Sequence, residues 1–85
     1  MTTDEPIHRM TLIVECAQMS ECSVIFEPFG AEHTLVADDA FRVEIAGPGD
    51  GEALIWYGPG AISLTPWVGG DYVAVHNRAG IELPT

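Results

Sequence analysis

Glycine-rich breaks divide the second half of this chain into short runs, and helical periodicity is nearly absent throughout. Gly47-Pro48-Gly49-Asp50-Gly51, Gly58-Pro59-Gly60, Gly69-Gly70-Asp71 and Asn77-Arg78-Ala79-Gly80 interrupt its second half. Pro lacks the amide hydrogen that a ladder needs, and Gly takes positive φ without steric penalty, so these segments read as turns. The runs between them alternate with a period of two. Phe41, Val43 and Ile45 share one face while Arg42 and Glu44 share the other. Met10, Leu12, Val14 and Cys16 do the same opposite Arg9, Thr11 and Glu15, with Ile13 as the exception. Val24 with Phe26, Leu35 with Val36, Ile62 with Leu64, Val73 with Val75 and Ile81 with Leu83 give further short runs. Only Glu15 to Glu21 has helix-compatible residue types, and it is too short to hold as an isolated helix.

Seven to eight short strands, spaced by about 8 to 12 residues, predict an all-β fold: a small antiparallel sandwich or barrel joined by hairpin turns. Residues 1–85 make a single domain with loose ends at 1–6 and 84–85. Leu54-Ile55-Trp56-Tyr57 is apolar on both faces, which fits a central strand or one covered by a partner. Ala37-Asp38-Asp39-Ala40 reads as an acidic hairpin corner, and Glu27-Pro28-Phe29-Gly30 as another place where the chain turns.

Phe26-Glu27-Pro28 with Gly30 and Glu32, followed by Asp39-x-Phe41-Arg42-Val43, resembles the pattern of small, acidic, uncharacterised all-β bacterial proteins. The resemblance implies a β-sandwich-like fold and no activity. It assigns a role to no residue.

Charge narrows the partners. Thirteen acids stand against three arginines and no lysine, for a formal net charge of -10. Nucleic-acid phosphates and anionic membranes are repelled. Without lysine there is no side-chain amine for a Schiff base or a phosphate clamp. The acids are spread along the chain, as on a solvated surface that keeps an apolar domain dissolved; an acidic face for a basic protein is the sharper alternative. Hydrophobic residues make up 47% of a chain too short to bury them all in one core, so a self-associating apolar face is expected. The opening Met1-Thr2-Thr3-Asp4-Glu5-Pro6 has neither a basic n-region nor an apolar h-region. A soluble cytoplasmic protein with reduced thiols is the expectation.

Cys16-Ala17-Gln18-Met19-Ser20-Glu21-Cys22 places two thiols around a thioether, ligands that suit Cu(I) or, less well, Zn. Three readings stand open here. The leading one is that both Cys pack as small hydrophobes, brought opposite each other by a five-residue hairpin loop; a disulfide and a metal site through Cys16, Met19 and Cys22 are the others. His33 beside Glu32, with Glu27 upstream, has the residue types for acid-base work but only sequence proximity to support it, so a surface histidine is the expectation. His76 falls on the wetter face of its run with Tyr72 and Ala74, and His8 lies in the N-terminal approach. Ser20, Ser23 and Ser63 have no nucleophile-elbow context. The Gly47 to Gly51 loop lacks the lysine of a phosphate cradle and reads as a hairpin turn; Asp50 and Glu52 offer too few oxygens for a calcium loop.

The aromatics carry the remaining expectation. Either Trp56 or Tyr57 must point outward, and Trp67, between Pro66 and Val68-Gly69-Gly70, is expected to be an exposed interface aromatic. The sequence therefore predicts a non-enzymatic β-domain without cofactor that acts through protein-protein contact and self-associates, with Trp67, Tyr57 and Tyr72 as contact residues. The alternative is a small ligand-binding module that holds a soft metal at Cys16, Met19 and Cys22.

Overall fold

A computed structural model describes residues 6–16 and 20–85. Within them the chain forms seven strands and no helix: β1 (Ile7–Val14), β2 (Cys22–Phe26), β3 (Ala31–Leu35), β4 (Phe41–Pro48), β5 (Leu54–Gly58), β6 (Ala61–Thr65) and β7 (Asp71–His76). They make two sheets, a three-stranded one in the order β1-β4-β7 and a four-stranded one in the order β3-β2-β6-β5. The inward residues of both sheets share one core, in which Val24, Phe26, Leu35 and Leu64 meet Phe41, Val43, Ile45 and Val75. This is a sandwich, as the alternation predicts, and it does not close into a barrel.

The pairing of strands departs from a chain of hairpins. Only β2–β3 and β5–β6 are consecutive antiparallel neighbours, turned by Glu27 to Gly30 and by Pro59-Gly60. β2 and β6 run parallel, so the larger sheet is mixed. The other connections cross from one sheet to the other. β4 runs on through Gly47 and Pro48, paired with His8 and Ile7, where a break was expected, and the segment from Gly49 to Ala53 then carries the chain to β5 of the opposite sheet. Val36 to Ala40 and Pro66 to Gly70 make similar crossings. These segments redirect the backbone, as their composition requires, but they are not the hairpins expected. Asn77 to Gly80 is one: the Gly80 amide donates to the Asn77 carbonyl at 2.9 Å, and His76 then bridges Glu82.

That last turn sends the C-terminal segment back beside β7. The Leu83 amide donates to the Val75 carbonyl at 2.8 Å. His33 Nε2 lies 2.7 Å from the Pro84 carbonyl, so Pro84, expected to be loose, is held against β3.

A β-bulge changes which residues of β7 face the core. Glu44 pairs with Ala74 but Ile45 pairs with Tyr72, so Val73 has no partner opposite it. The extra residue shifts the alternation. Val73 turns outward at 56% exposure, and Tyr72, expected on the wetter side with His76, turns inward instead. Its ring meets Phe26 edge to face at 5.5 Å between centroids.

Candidate functional site

Cys16 and Cys22 form a disulfide, with their Cα atoms 6.0 Å apart. The expected pair of packed, reduced thiols is corrected. Cys16 follows the end of β1 in one sheet and Cys22 begins β2 in the other, so the bond joins the two sheets rather than the two arms of a hairpin. Met19 lies outside the described residues, and among the described residues no group of three or more His, Cys, Asp or Glu side chains is placed to hold a metal ion.

His33 is half-buried rather than a free surface histidine. Its ring packs edge-on against Phe26 and Phe41, at 6.0 and 6.5 Å between centroids, while Nε2 meets the Pro84 carbonyl. Asp50 is engaged locally, accepting the Glu52 amide at 3.0 Å. The Arg78–Glu15 and Arg42–Glu44 pairs are exposed and contribute little.

Trp67 is buried, at 5% exposure, and the expectation of an exposed indole fails. The reason lies in two glycine segments distant in sequence. A Cβ on Gly49 would fall 2.7 Å from Trp67 Cδ1, and one on Gly70 would fall 2.7 Å from Cε2. The missing side chains are the space that the indole occupies, and Trp67 Nε1 donates to the Pro48 carbonyl at 2.9 Å. Tyr72 stands nearby. Its hydroxyl lies 2.8 Å from the Glu27 carbonyl and 2.9 Å from that of Leu64. Burial, then the carboxylates of Glu27 and Asp71, push its pKa up to about 12. Trp67 and Tyr72 border an open depression of about 410 Å³ with Pro28, Phe29 and Val68. Phe29 and Val68 stand exposed at its rim, at 81% and 97%, and neither is among the contact residues expected from sequence.

Tyr57 belongs to a different surface. Strand β5 ends its sheet, hydrogen-bonded to β6 on one side and, among the described residues, to no strand on the other. All four of its large side chains are exposed: Leu54 at 66%, Ile55 at 51%, Trp56 at 59% and Tyr57 at 79%. A central position for this run is thereby ruled out. The register places Ile55 opposite Leu64 and Tyr57 opposite Ile62, on the sheet's inner side; Leu54 and Trp56 share the outer side with Thr65 and Ser63. Ile55 and Tyr57 stay wet because β1, the terminal strand of the smaller sheet, does not cover them. Leu12 and Val14 of β1 and Ile55 and Tyr57 of β5 instead flank an apolar groove of about 230 Å³ that opens between the two sheets.

One sequence signal for this surface is visible in retrospect. From Ala53 to Gly70 there is no Asp, Glu, Lys, Arg or His. In a chain with so many carboxylates, the β5–β6 hairpin is a neutral apolar strip. Alternate residues of a terminal strand also aim their N–H and C=O groups away from the neighbour, so β5 offers a row of backbone donors and acceptors to an additional strand. No protein-family model, curated protein or solved structure matches this chain.

Proposed function

We propose that this protein is a non-catalytic module that acts through protein-protein contact, and that strand β5 is its contact edge. The observation that carries the reading is four consecutive exposed apolar side chains on a strand whose outer backbone edge pairs with no strand among the described residues. Soluble proteins ordinarily protect such an edge with charge, proline, a bulge or a covering segment. β5 has none of these within Leu54 to Gly58. Trp and Tyr are also the side chains that most often dominate binding energy at interfaces. Of the contact residues expected from sequence, Tyr57 carries this role; Trp67 and Tyr72 act from inside the fold by shaping its far end. A soft-metal role for Cys16 and Cys22 would require the disulfide to be opened first.

Site-specific photo-crosslinking in the native cell tests this reading. A photoreactive phenylalanine analogue at Tyr57 or Trp56 is expected to give discrete protein adducts, while the same group at Val73, exposed on the other sheet, gives none. Equal labelling at the three positions would overturn the assignment of β5.

A further inference from the structure

We propose that the occupant of the β5 edge is a second copy of this chain, joined by antiparallel pairing of β5 with β5 across a two-fold axis perpendicular to the sheet. The proposal rests on the reading of β5 as a contact edge and adds the identity of the partner. Pairing would turn two four-stranded sheets into one continuous eight-stranded sheet, twice the four strands of a single copy. The contact is self-complementary and stops at two chains.

Charge selects this occupant. Two copies of a chain with net charge -10 repel one another, and they can approach closely only where neither presents a carboxylate. The strip from Ala53 to Gly70 meets that condition. A basic partner would be recognised by acids facing it, and β5 and β6 carry none. The nearest are Glu52, two residues before β5, and Glu15, which lines the groove beside Ile55 and Tyr57 but is paired with Arg78 at 3.2 Å. The remaining terminal strands suit a second copy less well. β1 bears Arg9 and β3 bears Glu32, while the free side of β7 is bridged by Glu82.

The side-chain alternation fits the same geometry. A perpendicular two-fold axis keeps inner faces with inner faces. Ile55 and Tyr57 of both copies then meet beside the groove bordered by Leu12 and Val14, and the two Trp56 side chains meet on the outer face. The four exposed side chains of each copy present on the order of 500 Å² of largely apolar surface, comparable to patches that mark interaction sites. That is below the roughly 800 Å² per partner of a standard stable interface, so a reversible dimer of micromolar affinity is expected.

Salt provides the distinguishing sign. Screening weakens the repulsion between two acidic chains and leaves apolar burial intact, so raising sodium chloride from about 20 to about 500 mM tightens the dimer, by roughly tenfold. A complex with a basic partner would weaken instead.

Sedimentation equilibrium of the disulfide-bonded chain, from about 5 to about 500 μM at both salt levels, reads this directly. The mass should rise toward twice 9.1 kDa, more readily at high salt. Trp56→Lys and Tyr57→Lys should hold the chain monomeric with an unchanged far-UV spectrum, and Val73→Lys should leave the dimer intact. Hydrogen exchange on the unsubstituted chain needs no variant: amides of β5 should slow as concentration rises while those of β3 do not. A strict monomer at the highest concentration and salt overturns the second copy as occupant. Photo-crosslinked adducts at Tyr57 with other proteins would still support the contact edge in that case. A dimer that forms without added protection in β5, or that survives both lysine variants, overturns the proposal and the assignment of β5 together.

Discussion

The Tyr72 hydroxyl lies 2.9 Å from the Leu64 carbonyl, so a side chain of the three-stranded sheet is hydrogen-bonded to the backbone of the four-stranded one. The Glu27 carbonyl shares the same hydroxyl hydrogen at 2.8 Å. Tyr72→Phe keeps the ring against Phe26 but leaves both carbonyls without this donor. The expected loss is about 1 to 2 kcal/mol of unfolding free energy, measured by urea denaturation at neutral pH.

The same tie sets an alkaline limit on the fold. The pKa of Tyr72 rises from 10.0 to about 12, chiefly through burial and then through Glu27 and Asp71. The unfolded chain thus releases this proton at lower pH than the folded one. The stability that comes from holding the neutral phenol is complete below pH 10 and is lost as pH rises toward 12. Urea midpoints followed from pH 8 to pH 11 should fall in the unsubstituted chain, and Tyr72→Phe should remove part of that fall. An identical slope in both proteins would rule out Tyr72 as its source.

At the opposite end of the sandwich, the link between sheets is covalent. β1 runs from the residue paired with Pro48, beside Trp67, to the residue paired with Phe41, just before Cys16. The Cys16–Cys22 bond closes a short loop with a sequence separation of 6, for which chain entropy gives a stabilisation of about 2 kcal/mol. Replacing both residues with Ser, or adding reductant, should lower the thermal midpoint by a similar amount in each case. Reductant should leave the midpoint of the double Ser variant unchanged.

The parts of this fold that were legible in the sequence are those where neighbours along the chain decide the outcome. Phe41, Val43 and Ile45 are buried because an uninterrupted alternation places them on one face of β4. Tyr72 was misassigned because one unpaired residue, Val73, reverses the phase within a short strand, and no local signal marks the bulge. Sheet membership was hidden for a related reason: period two tells which face a side chain occupies but not which strand lies beside it. Cys16 and Cys22 share an inward phase in either arrangement, hairpin or inter-sheet bond. The β5 run was equally ambiguous, since four apolar residues look the same in a central strand and in an edge awaiting cover. The long uncharged interval around it is the feature that separates the two.

Burial of Trp67 was the least legible feature, because the surface that receives the indole is made of absences. Gly70 matters there not for an unusual φ but for the missing Cβ, which would fall 2.7 Å from Trp67 Cε2. Gly70→Ala must therefore displace a rigid ring that also donates to the Pro48 carbonyl. Overpacking of this kind costs about 1 to 3 kcal/mol, against a much smaller effect for Gly60→Ala, where a Cβ meets nothing within 4 Å but the backbone φ of +74° disfavours alanine. Fluorescence separates displacement from simple destabilisation. The chain has two tryptophans, so a Trp56→Phe background leaves Trp67 as the sole indole. In that background Gly70→Ala should shift the emission of the folded protein to longer wavelength as water reaches the ring, while Gly60→Ala should leave it unchanged. An unshifted spectrum together with full stability in Gly70→Ala would show that the indole is not seated between Gly49 and Gly70.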